Sequence, residues 1–469
     1  MNGWQDFYQS VKDPSWPECN SEAEFVNLPQ WIQDECQQHG YDLGQYFKQS
    51  PLPNKIFPIN TATSCKLKWT WSTLYLNSNS TASCHRTNFH TFDIDSFEFH
   101  NTDSKIKDRQ HMLQGDWPEK GCYNCRRIEQ SGGQSDRITS NQMSGLFHPP
   151  ELDVDPQAVN VTPRMLEVYF DNTCNLKCVY CGPMFSSLWS AEVQKYGGFE
   201  KDGLVMYAKL PEFVNTEKSK KRLFEWLLTN GQDLTHFNIL GGEPLYQTAF
   251  DEFLELVEKQ PFPMMDLQIF TNLNCKPEKL RTTIAKVKKF VDQGQLRAFT
   301  ITASLDCWGP EQEYTRFPLD LSAWEQNFEI LVHEHWIKLI VGSTLTVLTV
   351  WTLAELIERI NNWRKIRDVH HYFNEVDQPS QLMVDILGNA LSNDFDRAIA
   401  LVPENTPEQI NTKNYLRGIA KQSQSKGVDR DKCLKMVAYL DELDRRRNTN
   451  WTETFPKLWD FVKTDRLTY

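Results

Sequence analysis

The stretch Asp171-Asn-Thr-Cys-Asn-Leu-Lys-Cys-Val-Tyr-Cys181 decides how the rest of the chain is interpreted. It places Cys174, Cys178 and Cys181 in a C-x3-C-x2-C pattern directly after an apolar, β-branched run at residues 165–170. Three thiolates this close in sequence can converge on one metal centre if the backbone wraps around it. A cubane iron–sulfur cluster usually takes four thiolates, so three would leave one iron open to a ligand that is not protein.

Length and composition are typical of a globular protein with several domains: 469 residues, of which 40% are hydrophobic and 24% charged. No apolar run approaches the roughly 18 residues of a membrane span. The first residues lack the basic and apolar regions of a signal peptide. We therefore expect a cytoplasmic protein with no membrane partner. The net charge of −12 also argues against nucleic acid, because phosphate contacts require a basic surface.

The 12 cysteines are many for a cytosolic chain, in which clustered thiols indicate metal binding or catalysis rather than disulfides. Alternating apolar residues around a polar turn predict a β-hairpin with Cys65 and Cys84 at its outer ends. A C-x2-C pair, Cys122 and Cys125, follows. Two such pairs predict a closed tetrathiolate site, which structural zinc and a [4Fe–4S] cluster both fit. The alternative is four unrelated buried thiols.

Four regions are predicted along the chain. They are an N-terminal wrapping segment at residues 1–60, a hairpin-containing α+β cluster domain at 61–155, a core domain at 163–390 and a helical segment at 391–469. Turn-forming glycines, prolines and aspartates at 132–133 and 149–156 separate the second region from the third.

In the core domain, short β-branched runs alternate with amphipathic stretches. The predicted strands are residues 165–170, 235–240, 265–271, 298–305, 336–347 and 381–386. The predicted helices are residues 184–194, 218–228, 247–258, 278–291, 322–333 and 352–365. Six β-then-α units predict an α/β fold with a parallel sheet and outer helices, forming a full or partial barrel. In such barrels the chemistry takes place at the carboxyl ends of the strands.

Residues suited to ligand binding follow four successive predicted strands. After the cysteine run they are Gly241, Gly242, Glu243 and Pro244, then Asn272, and then Ser304, Asp306 and Cys307. The two glycines allow a ligand to approach the backbone closely, and Glu243 offers a carboxylate that can hold an ammonium group. Each feature alone also fits an ordinary turn or strand end. At successive strand ends of one barrel, they jointly predict a binding site.

These motifs resemble those of the radical SAM superfamily. Cys174-Asn-Leu-Lys-Cys178-Val-Tyr-Cys181 is similar to the C-x3-C-x2-C signature, and Gly241-Gly-Glu-Pro244 to the Gly-Gly-Glu-Pro motif. The resemblance covers roughly residues 163–390. It implies a partial (β/α)6 barrel and a [4Fe–4S] cluster on the three cysteines. It also implies that the amino and carboxylate groups of S-adenosylmethionine chelate the open iron.

The same resemblance implies roles for single residues. Glu243 would hold the amino group of S-adenosylmethionine and Tyr180 would lie by the adenine. Ser304 or Asp306 would reach the ribose, and Arg316 the carboxylate. An external one-electron reductant such as flavodoxin or ferredoxin would drive cleavage to a 5′-deoxyadenosyl radical, which abstracts hydrogen from a substrate.

The upstream cysteines resemble a twitch or SPASM-type module with an auxiliary [4Fe–4S] cluster. Such modules usually follow the barrel, whereas this one precedes it. Because proteins with these modules often modify peptides or protein side chains, the expected reaction is oxidation, cross-linking or epimerisation of a peptide. A small metabolite or carrier-bound substrate is the alternative. An interpretation of another class is an iron–sulfur or zinc protein that binds or carries electrons without cleaving S-adenosylmethionine.

Two cysteines and two aspartates are candidates for the step after hydrogen abstraction. Cys307 would return a hydrogen atom to the substrate, with Cys275 less clearly placed to do so. Asp306 or Asp385 would act as a general base. The alternatives are packed inert thiols and ordinary polar strand ends.

Overall fold

The computed structural model describes residues 63–84, 87–118, 121–130, 135–142, 158–201 and 203–464. The predicted wrapping segment at 1–60, the turn glycines at 132–133 and the boundary near residue 155 lie outside these residues. No helix within them is long and apolar enough to cross a membrane.

The strands of the described residues are numbered β1 to β11 in chain order. They are Trp71–Tyr75, Ser80–Ala82, His90–Thr91, Met165–Tyr169, Phe199–Lys201, Leu204–Met206, His236–Leu240, Phe262–Thr271, Leu296–Ser304, Lys338–Leu345 and His370–Glu375.

The α-helices of the same residues are numbered α1 to α16. They are Leu67–Thr70, Asp103–Leu113, Tyr123–Gln130, Asp136–Gln142, Ser187–Tyr196, Thr216–Asn230, Thr248–Lys259, Pro277–Asp292, Pro310–Thr315, Leu321–Val332, Leu353–Trp363, Ser392–Leu401, Pro407–Gln424, Arg430–Arg447, Trp451–Thr454 and Pro456–Thr464.

The chain divides into two units, and unit 1 contains the described residues up to Val168 together with Glu217–Phe237. In it β1 and β2 pair antiparallel, with Thr73 opposite Ala82, so the predicted hairpin is confirmed. The hairpin starts later than the alternating pattern suggested, because Leu67–Thr70 forms the helical turn α1. This turn buries Trp69 completely against Cys65 and Met112. Two or three alternating apolar residues do not distinguish a strand from such a turn.

Unit 2 contains Tyr169–Thr216 and Asn238–Tyr469. Its strands β8, β9, β10 and β11 are neighbours in that order and pair parallel. Helices α8, α10 and α11 connect them, as a parallel sheet requires. Each connecting helix buries residues three or four positions apart; in α10 these include Trp324, Phe328 and Leu331, as the sequence predicted. The parallel α/β sheet with helices between its strands is therefore confirmed.

The last predicted strand, residues 381–386, is wrong. This segment begins with the 3-10 turn Ser380–Leu382 and continues without strand pairing, while the strand beside β10 is β11. Leu382, Val384 and Ile386 are all buried, so their alternation resembles a strand although they line an irregular segment. The polar composition of β11 concealed it, because its alternating buried residues are only His371 and Phe373.

The C-terminal segment is helical, as predicted, in α12, α13, α14 and α16. At the end of α14, Arg446 and Arg447 are buried. Arg447 donates from Nε and Nη2 to the carboxylate of Glu192, each at 3.2 Å.

Candidate functional site

The three-cysteine loop of unit 2 follows β4 and is held in place by contacts along its length. The amides of Lys177 and Val179 donate to the carbonyls of Phe317 and Thr315 at 2.7 and 2.8 Å. The amide of Leu176 donates to Cys174 Sγ at 3.4 Å, a contact that stabilises a thiolate. These hydrogen bonds therefore fix the conformation of the loop that carries the three sulfurs.

Three aromatic side chains bind loop carbonyls, and the sequence analysis did not identify them. Trp189 Nε1 donates to the carbonyl of residue 178 at 2.8 Å, and the Tyr439 hydroxyl to that of residue 179 at 2.7 Å. The Tyr207 hydroxyl donates to the carbonyl of residue 181. Nothing in the sequence marks Tyr207 or Tyr439, since they lie 26 and 260 positions from the groups they bind.

The three sulfurs lie close enough to affect one another's ionisation. Burial raises the pKa of Cys174, and Cys178 and Glu243 raise it further. Burial and Cys178 raise the pKa of Cys181 to about 12. Burial raises the pKa of Cys178 too, against the opposing effect of Arg316. Without a cation the three thiols therefore stay protonated, and metal coordination is the ordinary way to deprotonate such a group.

The Gly-Gly-Glu-Pro segment packs directly against the cysteine loop. Gly241 and Gly242 have φ values of +78° and +59°. A Cβ on Gly242 would lie 2.2 Å from the carbonyl oxygen of Thr173, and one on Gly241 would lie 2.4 Å from the Tyr169 ring. The next amide, that of Glu243, donates to the same Thr173 carbonyl at 2.8 Å. Only glycines allow this approach of the two backbones.

Glu243 is a buried carboxylate, with 1% of its surface exposed. Its Oε1 accepts from the Leu245 amide at 3.1 Å and the Thr271 hydroxyl at 2.7 Å, and its Oε2 accepts from the Asn272 amide at 2.6 Å. Burial raises the pKa of Glu243 to about 7, against the lowering effect of these hydrogen bonds. No ion pair joins it to a basic side chain among the described residues. A cationic ligand would supply the positive partner that this buried carboxylate lacks.

Asn272 connects the carboxylate to the cysteine loop. Its Nδ2 donates to Asn175 Oδ1 at 2.9 Å and lies 3.9 Å from Cys174 Sγ. The loops after β4, β7 and β8 therefore meet in unit 2, as the sequence predicted for the ends of these strands. Pro244, the last residue of the motif, is buried at the start of the 3-10 turn Pro244–Tyr246.

Asp306 is the centre of a buried polar network and is itself fully buried. Its Oδ2 accepts from the Tyr180 hydroxyl at 2.7 Å and from Arg316 Nε at 2.8 Å. Its Oδ1 accepts from Arg316 Nη2 at 2.8 Å and from the Thr344 amide at 2.9 Å. Four donors occupy the acceptor positions of this carboxylate. Asp306 is therefore not placed to bind a ribose hydroxyl or to act as a general base.

Arg316 remains charged in this network. Burial acts to lower its pKa, but Asp306 outweighs burial and raises it. The guanidinium also lies over the Tyr180 ring, 5.6 Å from the centroid. Arg316 and Asp306 together fix Tyr180 beside the cysteine run. Arg316 Nη1 takes no part in the ion pair with Asp306. The contact of Arg316 with the carboxylate of S-adenosylmethionine stays a prediction.

The remaining strand-end candidates differ in accessibility. Ser304 ends β9 beside Gly342 and is half-buried. Cys307 is fully buried, with its thiol 3.6 Å from Gln312 Oε1, and Cys275 is 3.8 Å from Asn327 Nδ2. Asp385 forms an ion pair with Lys426. A buried thiol cannot reach a substrate, which disfavours hydrogen return from Cys307.

The four upstream cysteines of unit 1 line one small cavity: Cys65, Cys84, Cys122 and Cys125. Burial, then Cys84 and Cys122, raise the pKa of Cys65 to about 12. Burial also raises the pKa of Cys122 to about 11, against the opposing effect of Lys68. The two pairs predicted from the sequence therefore do come together. The C-x2-C pair lies at the start of α3, with Cys125 inside the helix.

Neither set of cysteines has the spacing of ligands to a single metal ion. Among the described residues, no three Cys, His, Asp or Glu side chains are grouped closely enough to hold one ion. Both sets have the right donors for thiophilic metals.

Comparison with known proteins identifies distant structural similarity alone. No protein-family model matches the chain, and no curated protein matches it. The structure of Streptococcus suis SuiB bound to the precursor peptide SuiA has a TM-score of 0.33 and 11% identity, over 67% of this chain and 63% of SuiB. SuiB bound to S-adenosylmethionine has a TM-score of 0.34 and 12% identity, over 70% and 67%. At these values the likeness assigns neither substrate nor activity to this chain.

Proposed function

We propose that the chain is a radical SAM enzyme. The observation that carries the proposal is the meeting of three loops in unit 2: the one with Cys174, Cys178 and Cys181, the glycine pair before Glu243, and Asn272. Such a site offers three thiolates to a [4Fe–4S] cluster and one buried carboxylate to a cation beside it. A bound cluster of this kind supplies one electron at low potential to the sulfonium of S-adenosylmethionine.

The residues of the chain then have defined tasks. The three cysteines hold the cluster and leave one iron for the amino acid part of S-adenosylmethionine. Glu243 accepts hydrogen bonds from its ammonium group, which removes the cost of an unpaired buried carboxylate. Tyr180 faces the adenine, held by Asp306 and Arg316. In this assignment Asp306 is a positioning residue.

The proposal includes the wider architecture expected from the sequence. The core at residues 163–390 is a partial (β/α)6 barrel, to which the parallel strands of unit 2 contribute four members. The region at residues 61–155 is an auxiliary-cluster domain of twitch type. These boundaries rest on sequence pattern, and the four-cysteine cavity supports a metal centre in the second region.

The auxiliary centre is proposed to be a [4Fe–4S] cluster rather than zinc. A tetrahedral zinc site has Zn–S distances of about 2.3 Å, which brings its sulfurs to about 3.8 Å from one another. The four sulfurs of unit 1 lie around a cavity and are not grouped as ligands of one ion. This arrangement favours a centre of several atoms.

The proposed substrate is a peptide or protein side chain. This rests on the resemblance of the four cysteines to auxiliary-cluster modules, because proteins with such modules often modify peptides. A cluster held by these cysteines would accept an electron from the substrate radical, which would complete an oxidation or a cross-link. Epimerisation through Cys307 is disfavoured by the burial of its thiol. The reductant is proposed to be a flavodoxin or ferredoxin.

The experiment that tests the function is anaerobic reconstitution with iron and sulfide, followed by dithionite and S-adenosylmethionine. We expect release of 5′-deoxyadenosine in proportion to the iron bound. Cluster-loaded protein that binds S-adenosylmethionine but releases no 5′-deoxyadenosine, with or without candidate peptides, would instead indicate an electron carrier. Carrier-bound metabolites in place of peptides test the alternative substrate class.

Binding of S-adenosylmethionine is expected to weaken as pH falls through about 7. Burial raises the pKa of Glu243 to about 7, so its carboxylate is charged above this pH and neutral below it. Only the charged form attracts an ammonium group strongly. Equilibrium dialysis between about pH 6 and pH 8 measures the effect.

The matched variant is Glu243→Gln, which keeps the shape of the side chain. It should weaken binding by about 10- to 100-fold above pH 7, the range for a hydrogen bond to a charged group, and should remove the pH step. If the variant retained the change in binding near pH 7, a group other than Glu243 would be responsible for it.

A further inference from the structure

Helix α14 of unit 2 lies outside the proposed core at residues 163–390, yet it contacts the three-cysteine loop. The hydroxyl of the fully buried Tyr439 donates to the carbonyl of Val179 at 2.7 Å. Val179 lies between two of the proposed cluster ligands, Cys178 and Cys181. The helix therefore supplies a buried hydrogen-bond donor to the loop that would hold the cluster.

A second connection from α14 to the loop runs through Arg447. The side chains of Arg447 and Glu192 expose 2% and 1% of their surfaces, and the guanidinium donates two hydrogen bonds to the carboxylate, each at 3.2 Å. Glu192 lies in α5 and also accepts from Lys177, a residue of the loop. Removal of one partner from a buried ion pair is costly. The Arg447–Glu192 pair therefore joins α14, α5 and the loop firmly.

The same guanidinium packs against the donor to a neighbouring loop carbonyl. Arg447 Cζ lies 4.6 Å from the centroid of the Trp189 ring. Trp189 Nε1 in turn donates to the carbonyl of Cys178 at 2.8 Å. A planar guanidinium stacks on an aromatic face in a way that a lysine ammonium does not. Arg447 therefore helps to hold the indole in the orientation that binds the loop.

Arg446 of α14 lies beside the segment that carries the third donor. Its Nη1 and Nη2 donate to the carbonyls of the glycines at 197–198 at 3.0 and 3.2 Å, and its Cζ lies 4.1 Å from the centroid of the Phe199 ring. Phe199 begins the hairpin of β5 and β6, and Tyr207 directly follows β6. The Tyr207 hydroxyl donates to the carbonyl of Cys181.

Tyr207 is held in a backbone conformation that non-glycine residues rarely adopt, with φ of +54°. A Cβ on Gly198 would lie 2.7 Å from the carbonyl oxygen of Tyr207, and one on Gly182 would lie 2.7 Å from its ring. These two glycines leave room for the tyrosine to reach the loop. Such a conformation persists only where the surrounding structure enforces it, and Arg446 contributes to those surroundings.

Three carbonyls of one loop are thus bound by donors that α14 supplies or supports. Each donor places the positive end of an N–H or O–H bond at the loop. Positive potential stabilises an added electron on a cluster that the loop would hold, and it does so more strongly in a buried site than in water. Loss of a donor should therefore make the cluster harder to reduce.

We propose that Tyr439 and Arg447 are positioning residues for the iron–sulfur cluster of the three-cysteine loop, so that α14 is part of this site. They have this role if the loop holds the cluster of the proposed function, whether or not S-adenosylmethionine is cleaved. Tyr439 fixes the backbone between Cys178 and Cys181. Arg447 fixes the loop indirectly, through the carboxylate and the indole of α5.

The test compares Tyr439→Phe with the unchanged chain. Both carry alanine at Cys122 and Cys125, so that bound iron reports the three-cysteine loop alone. After anaerobic reconstitution with iron and sulfide, iron retained against a chelator and the midpoint reduction potential of the cluster are measured. The thermal midpoint of unfolding is measured on the iron-free protein.

We expect Tyr439→Phe to bind the cluster about 10- to 100-fold more weakly, the range for residues that support metal ligands. The reduction potential should move to a more negative value, because the positive end of the hydroxyl dipole is lost. The phenylalanine keeps the ring and its packing, so the variant should fold. Without iron its thermal midpoint should fall only by the effect of one buried hydrogen bond.

Tyr314→Phe is the matched control. Tyr314 is also buried, and its hydroxyl donates to Asp444 Oδ1 of α14 at 2.9 Å. This variant loses a similar hydrogen bond to the same helix, while the loop carbonyls keep their donors. Both variants should lower the thermal midpoint similarly, but only Tyr439→Phe should change iron retention and potential. Equal iron retention and equal potential in the two variants would overturn the role of Tyr439.

Arg447→Lys tests the arginine without removing its charge. A lysine cannot form the two-bond pair with Glu192 and lie flat on the Trp189 ring, so iron retention should fall although the charge is kept. Iron retention equal to that of the unchanged chain would overturn the positioning role of Arg447.

The unchanged chain separates this proposal from the proposed function. If it holds iron at the loop, the comparison of the variants decides the roles of Tyr439 and Arg447 even when no 5′-deoxyadenosine is released. If it holds no iron at the loop, the cluster assignment is wrong and the positioning roles are overturned with it.

Discussion

Alanine at Cys174 is expected to reduce 5′-deoxyadenosine formation to background. It should also lower bound iron from about eight to about four per chain, the content of one remaining [4Fe–4S] cluster. The physical reason is that the site supplies only three sulfurs. The variant keeps two cysteine ligands, and no further protein–iron bond would compensate for the one that is lost. Iron and sulfide analysis after anaerobic reconstitution measures the change.

Cys433→Ala is the control for this experiment. Cys433 is a fully buried thiol in α14 that lies 3.5 Å from the carbonyl oxygen of Ile386. Its loss creates a small cavity but removes no proposed ligand, so iron content and product should be unchanged. Full activity of Cys174→Ala would show that the C-x3-C-x2-C run does not hold the cluster.

Alanine at Asp306 is expected to lower the free energy of unfolding by about 3–5 kcal/mol, the range for breaking a buried ion pair. The carboxylate accepts two hydrogen bonds from Arg316, one from Tyr180 and one from the Thr344 amide. Its removal leaves the Arg316 guanidinium buried, charged and without its carboxylate partner. Urea unfolding measures the loss, with the slope checked for two-state behaviour.

Asp266→Ala is the control for this second experiment. Asp266 also forms a two-bond pair with an arginine, Arg297, with both distances 2.6 Å. Its side chain is 22% exposed and that of Arg297 is 31% exposed, whereas Asp306 is fully buried. We expect a loss of about 0–1 kcal/mol for the partly exposed pair. Similar losses in the two variants would show that burial does not decide the effect.

Several features of the site could be predicted because their signals are local in the sequence. The cysteine spacing and the glycines before Glu243 each lie within about a dozen residues. The backbone has positive φ values at positions 241 and 242, which residues other than glycine adopt only with strain. This requirement for glycine is local. Cys65 and Cys84 of unit 1 were paired by the predicted hairpin, whose turn chemistry is also local.

The role of Asp306 could not be predicted in the same way. A polar residue at a strand end suggests ligand binding. Its partners Tyr180 and Thr344 lie 126 and 38 positions away, and only packing shows that they fill its acceptor positions. The strand β11 was missed for a similar reason. Its composition is polar, and its pairing with β10 is a property of the assembled sheet.

By itself the sequence determined the alternation of strands and helices, the cysteine spacing and the position of the glycines, because these depend on neighbours in the chain. Only the tertiary structure decided which charges are buried and what faces them. It paired Asp306 with Arg316 and placed Lys68 and Arg137 at the cavity that four cysteines line. The energy of a buried charge depends on all groups within a few ångströms, and those groups come from distant parts of the chain.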